Sequence, residues 1–252
     1  MPGIHPLAVE PPPGCTIEDL PRLNVPSWPI TASGQRVRFV APADDGEGYE
    51  QRIWRTGEVA SRPGNQHDFC NALIWLNFPR TKAVINGRHV AAATALPAGR
   101  GSERDALTHF DECGAIVVSR RPDLLELLRQ FRWRALFCEH RDDVVADMAL
   151  VVFGHATLEA LPRPFRGLTA KAVLAPVASE WFEQDVVVRI ADLDRRLAAR
   201  FAVTSGLRPR DFQPLPLPGW PGVMADSEDP AYYDDTWQFR PGRRIAGSAL
   251  AV

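Results

Sequence analysis

The chain has 252 residues, of which 45% are hydrophobic and 24% charged, with a formal net charge of −2. That length and apolar content suit one large domain or two small ones sharing a core, and they exclude a disordered polypeptide. The near-neutral balance excludes a surface that is basic overall and coats nucleic acid. A local patch survives the exclusion, because Arg52, Arg55, Arg62, Arg80, Lys82 and Arg88 crowd residues 52–88. Nearly all the positive charge is arginine, whose planar fork suits carboxylate or phosphate. Cys15, Cys70, Cys113 and Cys138 form no C-x-x-C pair, which excludes a zinc ribbon or thioredoxin motif.

The first segment, "MPGIHPLAVEPPPG", lacks a charged start followed by an apolar core, so it is not a secretory signal. No window approaches the ~18 uninterrupted apolar residues of a membrane span. The expectation is a soluble protein of a reducing cytoplasm. Residues 1–35 carry eight prolines, which predicts an extended arm wrapped on a surface. "QRVRFVAP" alternates polar and apolar residues like a half-buried strand. "YEQRIWRTGEVASRPGN" reads as a second short strand or a turn of helix, closed by Pro-Gly-Asn. From Asp68 the pattern is helical, with Phe69, Leu73 and Leu76 at i, i+4 and i+7, and Ile74 and Trp75 widening the apolar face. Pro79 opens a second helix, and a third runs from Ser102 to Gly114, with Asp105 in a capping-box position.

"AIVVS" reads as a buried strand, and "PDLLELLRQFRWRALF" as a helix. The longest helical stripe is Val144, Met148, Val151, His155 and Leu158, at spacings of four, three, four and three. "GLTAKAVLAPV" is a predicted strand, and residues 185–201 an amphipathic helix through Val186, Ile190, Leu193 and Leu197. The tail is irregular, aromatic and proline-punctuated, and so many rings predict docking on the body. We expect one α+β domain, rich in helix. Its core is residues 36–205, its Pro-rich arm 1–35, and its docked tail 206–252.

Four polar groupings stand out. Lys82, Asn86 and His89 fall at i, i+4 and i+7, so a helix presents them on one face. That face is either a grip for an anionic substrate or a solvent-facing stripe. His67 and Asp68 precede the apolar helix, Asp68 as a cap for free N–H groups and His67 as a candidate base. Asp111 and Glu112 end a helix where the dipole is already negative, so they call for a cation, either a divalent metal or Arg100, Arg104 or Arg120. His155 and Glu159, one turn apart, form either a metal edge and oriented base or a satisfied core histidine. No G-x-x-x-x-G-K-[ST], G-x-G-x-x-G or G-x-S-x-G pattern is present, which sets aside nucleotide-loop folds and α/β-hydrolases.

The blocks "DFCNALIWLNFPRTKA", "HFDECGAIVVS", "FGHATLEAL", "LPLPGWPG" and "YYDDTWQFRPGR" together resemble a bacterial domain-of-unknown-function family over nearly the full chain. That resemblance implies a shared fold and carries no residue roles. "HDFCNALIWLNFPRTKAVINGRHVAA" is similar to HNH-type, His-metal finger endonucleases. It implies His67 as general base, Asn71 or Asn86 as the orienting or ligand amide, and His89 as a metal ligand. The leading expectation is a metal-dependent hydrolase of a phosphate-containing substrate or nucleic acid, using Mg, Mn or Zn. Arg80 and Lys82 would hold phosphate, His89 with Asp111 or Glu112 would bind the metal, and His155 with Glu159 would be a second pair. The rival is a non-enzymatic binding or scaffolding protein whose polar clusters are structural.

Overall fold

The computed structural model describes residues 4–23, 25–95, 101–242 and 250–251. In chain order the elements are β1 (Arg38–Val40), α1 (Tyr49–Thr56), β2 (Glu58–Ala60), α2 (Gln66–Asn77), α3 (Pro79–Ala95) and α4 (Ser102–Cys113). There follow β3 (Gly114–Ser119), α5 (Pro122–Arg129), α6 (Arg141–Asp147), β4 (Met148–Val152), α7 (His155–Ala160), β5 (Thr169–Pro176), α8 (Val186–Val203) and β6 (Gln213–Pro216). The class is α+β and helix-rich, as the periodicity predicts. Among the described residues, no helix is long and apolar enough to cross a membrane.

Contacts divide the chain into two compact units. A sheet unit comprises Met1–His5, Glu112–Glu183 and Arg210–Val252, and a helical unit comprises Pro6–Asp111 and Gln184–Pro209.

In the helical unit, β1 and β2 pair in parallel, from Arg38↔Glu58 to Val40↔Ala60. Gly57 ends α1 at φ 74, and a Cβ there would lie 2.2 Å from the Arg36 carbonyl oxygen. Only glycine satisfies both conditions. Val37, Ile53, Val59 and Trp75 close a small core. Helix α2 is buried nearly all round, as its apolar pattern predicts. Its cap is Asn65, whose Oδ1 accepts the Asp68 N–H at 2.9 Å, so the capping role expected of Asp68 belongs to Asn65. Helix α3 opens on Pro79, and α8 supplies its cap. The Asp194 carboxylate accepts from Arg80 N (3.0 Å), Thr81 N (2.8 Å) and Thr81 Oγ1 (2.7 Å). The Pro-rich arm is not wholly extended, since Ile17–Arg22 winds into a 3₁₀ turn that buries Leu20 completely.

In the sheet unit the strand order is β4-β3-β5-β6. β3 runs parallel to β5 and antiparallel to β4, and β6 is antiparallel to β5. The tail was expected to be irregular, yet it supplies β6, whose Pro214 and Pro216 are tolerated because the strand lies at an edge. The largest correction concerns residues 144–158, predicted as one helical stripe. The chain instead forms α6, β4 and α7. "MALVV" is buried throughout, and a short apolar run has no period that separates a buried strand from a buried helix. Pairing with β3, from Ala115↔Val152 to Ser119↔Met148, decides it.

The predicted helix from Pro122 also stops early, at Arg129. Phe131 takes φ 58, with Phe131 N–H bonded to Leu128 O (3.1 Å) and Arg132 N–H to Leu127 O (2.9 Å). This is the Schellman pattern, with a phenylalanine where glycine is usual. Residues Ala135–Glu139 then form a π-helical turn. The tail rings Trp220, Tyr233 and Phe239 join Trp133, Phe137 and Leu174 in one buried core.

Candidate functional site

In the helical unit, α1, α2, α3 and α4 each contribute to one buried polar cluster. Lys82, Asn86 and His89 share a face of α3, as predicted, but that face is 4%, 1% and 5% exposed. The solvent-facing alternative is overturned. The ammonium of Lys82 donates to Asn71 Oδ1 at 2.9 Å and to Asp111 Oδ1 and Oδ2 at 2.6 and 2.8 Å. Its Nζ also lies 5.4 Å from the Trp75 ring centroid. Asn71 Nδ2 in turn donates to the Tyr49 hydroxyl at 2.9 Å. Although Tyr49 as a residue is 42% exposed, burial at its hydroxyl pushes the phenol far above its ordinary range, with Glu50 and Asp111 adding to the rise. Asn86 Nδ2 donates to Glu50 O (2.9 Å) and Glu50 Oε2 (2.7 Å). Asn86 Oδ1 and Trp75 Nε1 are buried without a hydrogen-bond partner among the described residues. Burial lowers the pKa of His89, and the charges of Glu50 and Asp111 offset part of that drop.

This geometry revises several expectations. The three N–H groups of Lys82 match three acceptors, so none remains for a phosphate. Lys82 supplies a cation to Asp111, a partner the sequence reading did not name; Arg100 lies outside the described residues. Within the helical unit, no three His, Cys, Asp or Glu ligand atoms lie within 4.8 Å of one another among the described residues. His67 is half-buried in the first turn of α2, not at a strand end, so the HNH arrangement of a strand-end base is not formed. Asn71 and Asn86 lie inside the cluster, and their amide groups hold Lys82 and Glu50 in place of a catalytic histidine.

The basic patch is largely neutralised. Arg52 pairs with Asp45, Glu47 (3.4 Å) and Glu58 (3.2 Å), and Arg55 with Glu47 (2.7 Å). Arg62 pairs with Asp68 (2.8 Å), and Arg88 with Glu103 (2.5 Å). The hydrogen bond from Arg62 holds the Asp68 carboxyl below its ordinary range. Arg80 is exposed and its side chain makes no ion pair among the described residues; Asp194 is the acid on which its charge acts.

In the sheet unit, Glu112 precedes β3 and His155 opens α7. Their side chains meet, His155 Nε2 to Glu112 Oε2, at 3.2 Å, with 6% and 39% of each exposed. Gly154 makes the approach possible. Its N–H donates to Gly114 O at 2.7 Å, and a Cβ there would lie 2.3 Å from Gly114 N and 2.4 Å from Glu112 O. His155 therefore pairs with Glu112, and Glu159, one turn further along α7, is exposed. Burial pushes the neighbouring Cys113 thiol up, and the charge of Glu112 adds to it, so Cys113 is not an activated nucleophile. Sequence reasoning missed Tyr49, Glu50 and Gly154. None of them belongs to a periodic pattern with its partners, so no local signal marks them.

Residues 37–243 match the family described as "Protein of unknown function (DUF3025)", and the chain belongs to that family. No curated protein and no solved structure matches the chain.

Proposed function

For this member of the family, we propose a metal-assisted hydrolase of a phosphate-containing substrate, centred on Glu112 and His155. The observation that supports the reading is the 3.2 Å approach of a buried imidazole to a carboxylate that is 39% exposed. An imidazole nitrogen and a carboxylate oxygen side by side offer a mixed donor set, which suits Mn or Zn better than Mg. Divalent ions at phosphate sites commonly take one or two protein ligands and complete their shell with water and substrate oxygens. Such an ion lowers the pKa of bound water and neutralises charge at phosphorus. The close approach at Gly154 brings the two donors together. Asp111, His89 and Lys82 stand outside this proposal because the helical cluster already engages them.

The test is thermal melting of chelator-treated protein with added Mn, Zn or Mg, paired with hydrolysis of bis(p-nitrophenyl) phosphate. An ion at 100 times its Kd stabilises by about 2.7 kcal/mol, or roughly 5–11 °C for a chain of this size. We expect that shift in the wild type and its loss in His155→Ala and Glu112→Gln. No shift with any of the three metals, together with no metal-dependent turnover, overturns the reading.

A second reading, a non-enzymatic binding or scaffolding protein, is favoured by the closed chain Tyr49–Asn71–Lys82–Asp111. Its donors and acceptors satisfy one another, as a structural network does. The same titration separates the two, since a scaffold gains nothing from the metals.

A further inference from the structure

The helical unit contains a cavity of about 250 Å³ that none of the chemistry above uses. Its walls come from the N-terminal arm, the α2–α3 junction and the first half of α8, and Val9, Trp28, Leu76, Val187 and Ile190 make most of them apolar. Trp28 is held in place by its indole N–H, which donates to Val37 O at 2.8 Å, and by Arg36, 5.3 Å over its ring.

The polar groups of the lining are few and almost all engaged. Asn77 Oδ1 accepts from Val9 N at 2.8 Å, while its amide donates to Val9 O (3.1 Å) and Leu73 O (2.9 Å). The Asp194 carboxylate uses both oxygens to cap α3. Ser27 is neutral and exposed. Arg80 is the one cation among the described lining residues, its side chain in no ion pair, and it stands at the solvent edge where a ligand head would emerge. A preformed apolar pocket with one convergent charge is the usual form of a small-molecule site.

We propose that this cavity binds a small amphipathic anion, its apolar body between Trp28 and Ile190 and its carboxylate or phosphate head on Arg80. A cavity of this size holds a short chain or a single ring system. The guanidinium offers two parallel N–H groups to either head. Asp194, the one acid among the described lining residues, opposes an anion less than a bare carboxylate would, because its oxygens already face three donors. The inference stands on the helical unit and does not depend on the Glu112–His155 reading.

The experiment is calorimetric titration of the full chain with octanoate and octyl phosphate, with 1-octanol and inorganic phosphate as controls, followed in parallel by tryptophan fluorescence. Saturable one-to-one binding is expected for both amphiphiles. It should weaken at least tenfold in Arg80→Ala, recover in part in Arg80→Lys, and disappear in Ala191→Phe, which fills the cavity. The proposal is overturned if neither amphiphile saturates, if 1-octanol or inorganic phosphate binds as tightly, or if Arg80→Ala is unchanged. Should Ala191→Phe fail to fold, the Arg80 substitutions, at an exposed position, still decide the matter.

Discussion

Substituting Asp111→Ala tests whether the helical cluster is as dry as its geometry indicates. The variant removes two of the three acceptors of Lys82, at 2.6 and 2.8 Å, and leaves an ammonium whose side chain is 5% exposed with Asn71 alone. Breaking one side of a buried pair costs 3–5 kcal/mol, because the remaining charge is uncompensated. Asp111 itself is 17% exposed, so water can enter the vacated space and the lower end applies, about 3 kcal/mol. At 2–4 °C per kcal/mol for a chain of this size, Tm should fall by roughly 6–12 °C. Urea unfolding followed by circular dichroism gives the free energy directly, and a double-mutant cycle with Lys82→Met isolates the pair. The double variant Lys82→Met with Asp111→Leu should recover most of the loss, since apolar groups of similar volume often replace a buried ion pair at little cost. A loss below about 1 kcal/mol in Asp111→Ala would match a solvated surface pair and refute the reasoning.

The buried His89 should make stability sensitive to acid. Burial holds its folded pKa below the ordinary 6.5, so on acidification the unfolded chain takes up the proton first. The contribution is complete above about pH 6.5 and is lost as pH falls below it. His89→Gln should flatten the fall in Tm between pH 7.5 and 5, and an unchanged slope assigns the acid sensitivity elsewhere. Gly154→Ala should cost about 3 kcal/mol, at the upper end for overpacking, because its Cβ would meet backbone at 2.3–2.6 Å. In the same variant the metal-induced shift proposed for Glu112 and His155 should shrink. A variant that keeps both wild-type stability and the shift shows that the close approach is not needed.

Local pattern carried much of the architecture. The strand "AIVVS", the helix of residues 185–201 and the start of α3 at Pro79 follow from runs and caps that neighbouring residues define. α2 was legible as a central helix because its apolar residues nearly encircle it. The stretch from Arg141 to Ala160 was not legible, since five apolar residues satisfy helix and strand patterns alike until a partner strand is present. The early end of α5 was hidden for a related reason. Phe131 adopts a conformation that no sequence rule grants to phenylalanine, in a turn whose ring packs 5.5 Å from Trp133.

The candidate sites divide in the same way. The amino-acid order by itself determined that Lys82, Asn86 and His89 share a face and that Asp111 and Glu112 need compensation. These are properties of one helix turn or of neighbouring positions. Only the tertiary structure decided that the α3 face points inward, that Lys82 answers Asp111 and that Glu112 meets His155. Burial and pairing depend on which surfaces close over a side chain, and those surfaces come from elements tens of residues away that periodicity cannot connect.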